Sequence, residues 1–347
     1  VALHRTIHRL LLTGAHRISS PAAPAAPPPA ALEPLIEAAA PIHARFDARA
    51  IYFGDRYRSG FWAIYLLSAI ATLCAVLPLA LGWDSSLHRL HPYAGLWALS
   101  EVIVIGTVSL IYWQGHRHDW QGQWLRARTT AELCGYLPVL APLLDLESTS
   151  AEPSWYARLF DADPQADATA DVSALCTRLE PLARSHLAGA WADPGFVRSY
   201  TRWLTGILEA QRQYHRELAS RQHSLLHRVH RINATLFGLT GFAALMHLLV
   251  HSLWLSLVTT FFPALGASLH GALAQSEAYR LAATSERLMG ELAQAIERIH
   301  AAAAQVLARG AGAVPSLKAE VRSVVALLLE EHQDWHLMVR PHHLPLG

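Results

Sequence analysis

Lysine is almost absent from this chain. Lys318 is the single one among 28 basic side chains, and the rest are arginines. Acids balance them at 27, so the net charge of +1 excludes a nucleic-acid binder that works by bulk electrostatics. Charge of either sign is scarce at 16% of residues, and the mean hydropathy of +0.20 is high for 347 residues that would need a charged surface in water. Cysteine is scarce as well. Cys74, Cys134 and Cys176 stand far apart, one of them inside an apolar run, which leaves neither a disulfide framework nor a CxxC metal site and reads as buried thiols. No Walker loop, GxGxxG, GxSxG or HExxH occurs, no alternating strand pattern stands out, and Gly310-Ala311-Gly312 reads as a helix stop. No catalytic group and no cofactor is predicted, and the chain is read as not an enzyme.

What is present is apolar length. Ser59 to Trp83 carries no Asp, Glu, Lys or Arg, Leu90 to His116 carries one charge, Glu101, and Ile232 to Ser276 carries none. A hydrocarbon core of about 30 Å takes about 20 helical residues. The first two runs fit one crossing each, with Trp62 and Trp83 near the ends of the first as interfacial anchors. The third would reach roughly 65 Å as one helix, so it is read as a hairpin turning near His251-Ser252-Leu253-Trp254. Spans are predicted at about 60–82, 94–113, 232–251 and 255–274.

Arginine placement tests that count, because short Arg-rich segments stay cytoplasmic. Arg45, Arg49, Arg56 and Arg58 precede the first span, and Arg117, Arg126 and Arg128 follow the second, with only Arg89 between. Arg216, Arg221, Arg228 and Arg231 precede the third and Arg280 and Arg287 follow the fourth, while the turn between them has no basic residue. The fold class predicted is an all-α membrane protein, four transmembrane helices in two hairpins with long cytoplasmic helical extensions and both termini cytoplasmic.

The extensions show as stripes. Phe46, Ala50, Phe53, Tyr57, Phe61 and Ile64 recur at three- and four-residue spacing into the first span, as do Ile207, Tyr214, Leu218, Leu225, Val229, Ile232 and Leu236 into the third, interrupted by Gln211 and Gln222. Leu281, Leu288, Leu292, Ile299 and Val306 continue after the fourth. Such stripes serve helix packing within one subunit or assembly into a homo-oligomer. Five segments result: an N-terminal segment and Pro/Ala-rich linker over 1–43, the first hairpin with its flanking helices over 44–137, a helical insert over 138–203, the second hairpin and a long helix over 204–309, and a C-terminal helix and tail over 315–347. Residues 1–32 lack any acid, a trait of transit peptides, and Ser19 to Ala31 reads as a semi-rigid polyproline linker. The two hairpins look duplicated, with RTTAEL from Arg128 matched by AATSERL from Ala282.

Several intramembrane side chains are polar. Glu101 needs a partner, a cavity, a proton or an interfacial position beside Trp97. Asn233, Thr240, His247 and His251 share one face of the third span, and Ser256, Thr260 and His270 one face of the fourth. They are either a pore lining with titratable imidazoles or the small and hydroxylated residues that let membrane helices approach. Pro263 with Gly266 would kink the fourth span as a gate, or sit passively. Twenty-one histidines, among them His223, His227, His230, His342 and His343, raise a metal-dependent membrane enzyme as an alternative, although no HxxHH repeat is present and no metal ligand set is assigned.

From Trp120 through Trp124, Arg128 and Glu132 to Leu133, the chain resembles the SLATT superfamily, in which two spans are followed by a cytoplasmic helix bearing Trp, then Arg, then an Ala-Glu-Leu/Arg turn. Asp55-Arg56-Tyr57-Arg58 and Gln211-Arg212-Gln213-Tyr214-His215 resemble the same family's lead-in segments. The resemblance covers roughly residues 44 to 305. It implies a membrane effector of prokaryotic conflict systems, in the bacterial inner membrane, that opens or perturbs the bilayer when an associated nucleotide-sensing domain or partner is triggered. The usual unit is one two-span hairpin, and this chain is read as holding two. A sensor would join at the proline-rich linker or act as a separate protein. The alternative to a pore is a non-conducting scaffold that recruits cytoplasmic partners.

Overall fold

The computed structural model describes residues 3–11, 26–82, 94–144 and 166–339. Among them the chain is helical throughout, with short 3-10 turns: α1 (Leu3–Leu11), α2 (Glu33–Ala80), α3 (Ala94–Arg117), α4 (Trp120–Leu140), α5 (Ala166–Leu187), α6 (Pro194–His247), α7 (Leu253–Gln275), α8 (Ala278–Arg309) and α9 (Val314–Val339). Arg89, between the first two predicted spans, and the pair His342 and His343 lie outside the described residues, as does Trp83.

Two helices dominate. α2 runs 48 residues and α6 runs 54, each starting in the polar lead-in and continuing into the apolar run without a break. Their starts are chemically marked. Asp193 accepts hydrogen bonds from Gly195 N and Phe196 N at 2.7 and 3.2 Å, with Pro194 at the first helical position, where its missing N–H costs nothing. α8 ends at Arg309, where Gly310 takes φ 73° and breaks the helix.

The matched motifs become matched architecture. In α2–α3–α4 and again in α6–α7–α8, a long helix is followed by a returning helix and then by a third that folds back along the long helix's lead-in half. Both back-folds turn on an acidic residue in the left-handed region, Asp119 at φ 42° and Glu277 at φ 54°. Asp119 offsets that strain by capping α4, its carboxylate accepting from Gly122 N at 3.1 Å and from Arg126 at 2.9 Å.

The units join where α7 packs on α2, so the apolar halves stand in a row ordered α3, α2, α7, α6. Gly271 makes that junction close, since a Cβ there would overlap the Tyr65 ring. Below the row lie two cores. A junction core gathers Phe46, Tyr57, Phe61, Trp62, Trp124, Leu225, Val229 and Leu273. A distal core is built from Leu35, Leu137, Leu179, Tyr200, Leu208, Ile299 and Val321, supplied by α2, α4, α5, α6, α8 and α9.

Two expectations change. Trp62 is not an interfacial anchor. It is fully buried in the junction core, in the half of the molecule where α7 packs on α2. Of the four segments expected to span, three lie in helices long and apolar enough to cross a membrane, those in α2, α3 and α7. The fourth falls short because α6 ends at His247, leaving about 24 Å of apolar helix beyond Arg231.

The three cysteines are free and buried. Burial raises the Cys134 thiol to about 11 and the Cys176 thiol to about 12. In the distal core the Tyr200 hydroxyl donates to Val139 O at 2.7 Å, satisfying a carbonyl that the end of α4 leaves without a helical partner. Tyr200→Phe strands that carbonyl and is expected to cost about 1–3 kcal/mol. Thermal or denaturant unfolding in detergent measures it, and a variant as stable as the parent contradicts the assignment.

Candidate functional site

Exposed large apolar side chains concentrate in the row. Leu96, Leu99, Val102, Ile103, Ile105, Leu110 and Trp113 on α3, Ile70 and Leu79 on α2, Phe237, Leu239, Phe242 and Leu245 on α6, and Leu253 and Trp254 on α7 are each more than two-fifths exposed. In water such a surface would be far beyond the patch size soluble proteins tolerate. The end helix α3 touches the row along a single seam, Trp97, Ser100, Glu101, Val104 and Val108, and its other faces are bare.

The predicted polar residues do not all meet. Glu101 sits half-buried on the seam between α3 and α2, where Ser100 Oγ lies 3.8 Å from Cys74 Sγ, with α2 standing between it and the second unit. Asn233, Thr240 and His247, seven residues apart, form a half-buried line on α6. Thr240 donates to Leu236 O at 2.8 Å and is satisfied within its own helix. Asn233 Oδ1 and His247 Nδ1 are buried without a hydrogen-bond partner. A buried polar atom in that state costs free energy until water or another polar group reaches it.

His251 is exposed past the end of α6, its ring 5.9 Å from that of His247. Ser256 is half-buried on α7, while Thr260 and His270 are exposed. α7 runs unbroken through Pro263, and Gly266 is buried against Asn233 and Phe237. The structure therefore brings together the Asn233 line and Gly266, and leaves Glu101, Thr260 and His270 apart from them.

The motif from Trp120 to Glu132 assembles more tightly. Trp124 stacks on Tyr57 with ring centroids 5.7 Å apart, and the Arg58 guanidinium lies 4.6 Å from the indole centroid on a second side. The indole fits because residue 54 is glycine: a Cβ there would stand 2.8 Å from Trp124 Nε1. Tyr57 accepts a hydrogen bond from Gln275 Nε2 at 2.9 Å, tying α2 to the end of α7, and burial raises its phenol to about 12. Arg128 pairs with Glu132 one turn on and with Asp47 at 3.2 Å. Burial opposes the Arg128 charge, but Glu132, Tyr214 and Asp47 outweigh it and raise its pKa. Trp120 is buried, and Gln211 is half-buried beside Tyr214 on α6.

The duplicated motif has its own lock. His215 Nδ1 lies 3.3 Å from Ser285 Oγ between α6 and α8, and both residues are buried. Sequence reasoning missed Gly54, Gln275 and Ser285. The one usable signal was a glycine inside a helical stripe, which marks a close approach. Among the described residues no three His, Cys, Asp or Glu side chains converge as metal ligands, and His223 faces Glu286 at 2.8 Å instead.

Comparison with models of protein families, with curated proteins and with solved structures finds no match to this chain. The local geometry yields its own test. Trp124→Ala empties the α2–α4 seam and is expected to cost about 3–5 kcal/mol, and Gly54→Val should lower Tm comparably by forcing the indole out. A Gly54→Val protein that melts with the parent would show that the seam is loose.

Proposed function

We propose that the chain is a membrane-embedded effector that assembles from several copies and opens or perturbs the bilayer. The carrying observation is the open row: α3 and α6 end it without packing on each other, so one chain encloses no channel, while α3 presents bare apolar faces. Copies joined side by side would cover those faces and close a ring. Within it, Asn233 and His247 would gain the polar contacts that one chain does not give them.

In this reading α2, α3 and α7 cross, and α6 completes a fourth crossing by carrying Leu248, Leu249 and Val250 into the outer interface, where each is exposed by half or more. Both termini then lie in the cytoplasm of a bacterium, as the arginine distribution asks. The resemblance to the SLATT superfamily supports an effector triggered by a nucleotide-sensing domain or partner. The two cores tie the helices below the row together, and through them such a partner could shift the row between closed and open packings. One observation favours a non-conducting scaffold instead: Ser68, Thr72, Thr107 and Thr240 satisfy their hydroxyls on their own helix carbonyls and offer little to an ion.

Reconstitution separates these readings. Vesicles loaded with a self-quenching dye should leak when the protein is inserted and triggered, and Glu101→Gln and His247→Ala should change the leak more than Thr259→Ala, whose hydroxyl bonds Ser256 O. An intact dye load with a trigger protein bound would favour the scaffold. For assembly and topology, Ile103→Cys on the bare face of α3 combined with Phe242→Cys on the exposed face of α6 should yield disulfide-linked oligomers in membranes, and tags at the two termini should both be protected in right-side-out vesicles. Termini on opposite faces would remove the fourth crossing.

A further inference from the structure

The seam between α6 and α8 is not filled along its whole length. On the body it opens into a groove of about 460 Å³. The opening has a local cause. α8 passes there through four successive alanines, Ala301 to Ala304, so it sets no large side chain opposite Thr201 and Thr205 of α6.

α6 lines the groove with Arg198, Thr201, Arg202 and Thr205, which recur at three- and four-residue spacing on one face. From α8 come His300 and the apolar Ala304 and Leu307. The two arginines and the histidine are exposed, whereas Thr201 is 9% exposed and forms part of the floor. Thr205 is satisfied within its helix, its hydroxyl donating to Thr201 O at 2.9 Å. The Thr201 hydroxyl is buried with no hydrogen-bond partner, a state whose cost an entering oxygen would offset.

The charge in the groove is of one sign. No carboxylate lines it, and Arg198 and Arg202 form no ion pair among the described residues. Along the same seam Glu209 and Glu297 line a second hollow instead, where Arg212 holds Glu209 at 3.1 Å. Two guanidinium groups one turn apart repel each other, and their forks match the oxygens of a phosphate. His300 adds a ring N–H donor from the opposite wall. A phospholipid headgroup is too distant to be the source: Arg202 lies 30 residues before Ile232, where the uncharged run begins, which is roughly 45 Å of helix.

We propose that the groove between α6 and α8 binds a soluble organic phosphate, its phosphate held by Arg198, Arg202 and His300 and its apolar body laid against Ala304 and Leu307. The inference holds whether or not the assembly conducts.

The test uses the full chain in detergent, titrated separately with phenyl phosphate, phenol and inorganic phosphate while Tm is followed. Phenyl phosphate should give a saturable rise of a few degrees, inorganic phosphate a smaller one and phenol none. Arg198→Gln and Arg202→Gln should each weaken the phenyl phosphate response about tenfold in concentration, the loss of one charge-assisted contact. Arg216→Gln removes the same charge from an exposed position roughly 20 Å along α6 and should leave the response intact. Ala304→Phe keeps every charge but fills the groove, and should abolish the response. Both arginines are exposed, so their variants should melt with the parent when no probe is present and decide the matter even if Ala304→Phe fails to fold. No saturable rise with phenyl phosphate, an undiminished rise in both arginine variants, or an equal loss in Arg216→Gln overturns the site. A response to phenol or to inorganic phosphate as large as that to phenyl phosphate overturns the ligand class.

Discussion

The seam between α2 and α4, where the Trp124 indole lies on Gly54 and under Tyr57 and Arg58, is the contact on which the architecture turns. It makes the chain reverse after α3 and run back along the helix it came from. Without it α4 would have no apolar surface to cover, and the lead-in half of α2 would stand in water with Phe46 and Tyr57 bare. The second unit solves the same problem with other chemistry. A His215–Ser285 contact and a strip of small and branched residues on α8 hold α6, and the turn again uses an acidic residue at positive φ.

Those two back-folds divide the molecule by solvent. Below the junction every long helix has partners on several sides, and the distal core is sealed down to the helix-end carbonyl that Tyr200 caps. Above it each helix has one or two neighbours and presents apolar side chains outward. Such a surface is stable only where water is absent, so the contrast in packing between the two halves marks where a bilayer would begin. Polar groups follow the same division: ion pairs such as Arg5–Asp55 and Arg45–Asp171 lie on the body, and hydroxyls in the row bond mostly to their own helices.

The repeated order of helices in α2–α3–α4 and α6–α7–α8 has a counterpart in two degenerate strings. RTTAEL and AATSERL follow two apolar runs apiece, and the structure buries one polar residue from each string, Thr130 and Ser285, on the two back-folded helices. What differs between the units is what fills the seam. The first sets an indole against glycine, and the second sets a histidine against serine. Two halves with one topology and different seams need not yield at the same load.

The apolar runs, the lead-in stripes and the glycine stop at Gly310 were determined by the sequence alone, because burial and helical period are local properties that each stretch carries in its own composition. The stripe from Phe46 to Ile64 is the buried face of α2, and Leu288, Leu292, Ile299 and Val306 are the buried face of α8. Tertiary structure alone decided that Trp62 is interior, that Glu101 and the Asn233 line face different neighbours, that α6 stops at His247, and that Arg221 is buried with its Nε unpartnered. Each of these depends on which helix lies alongside, and the order α3, α2, α7, α6 is set by contacts between residues as far apart as Tyr57 and Gln275, which no local pattern encodes.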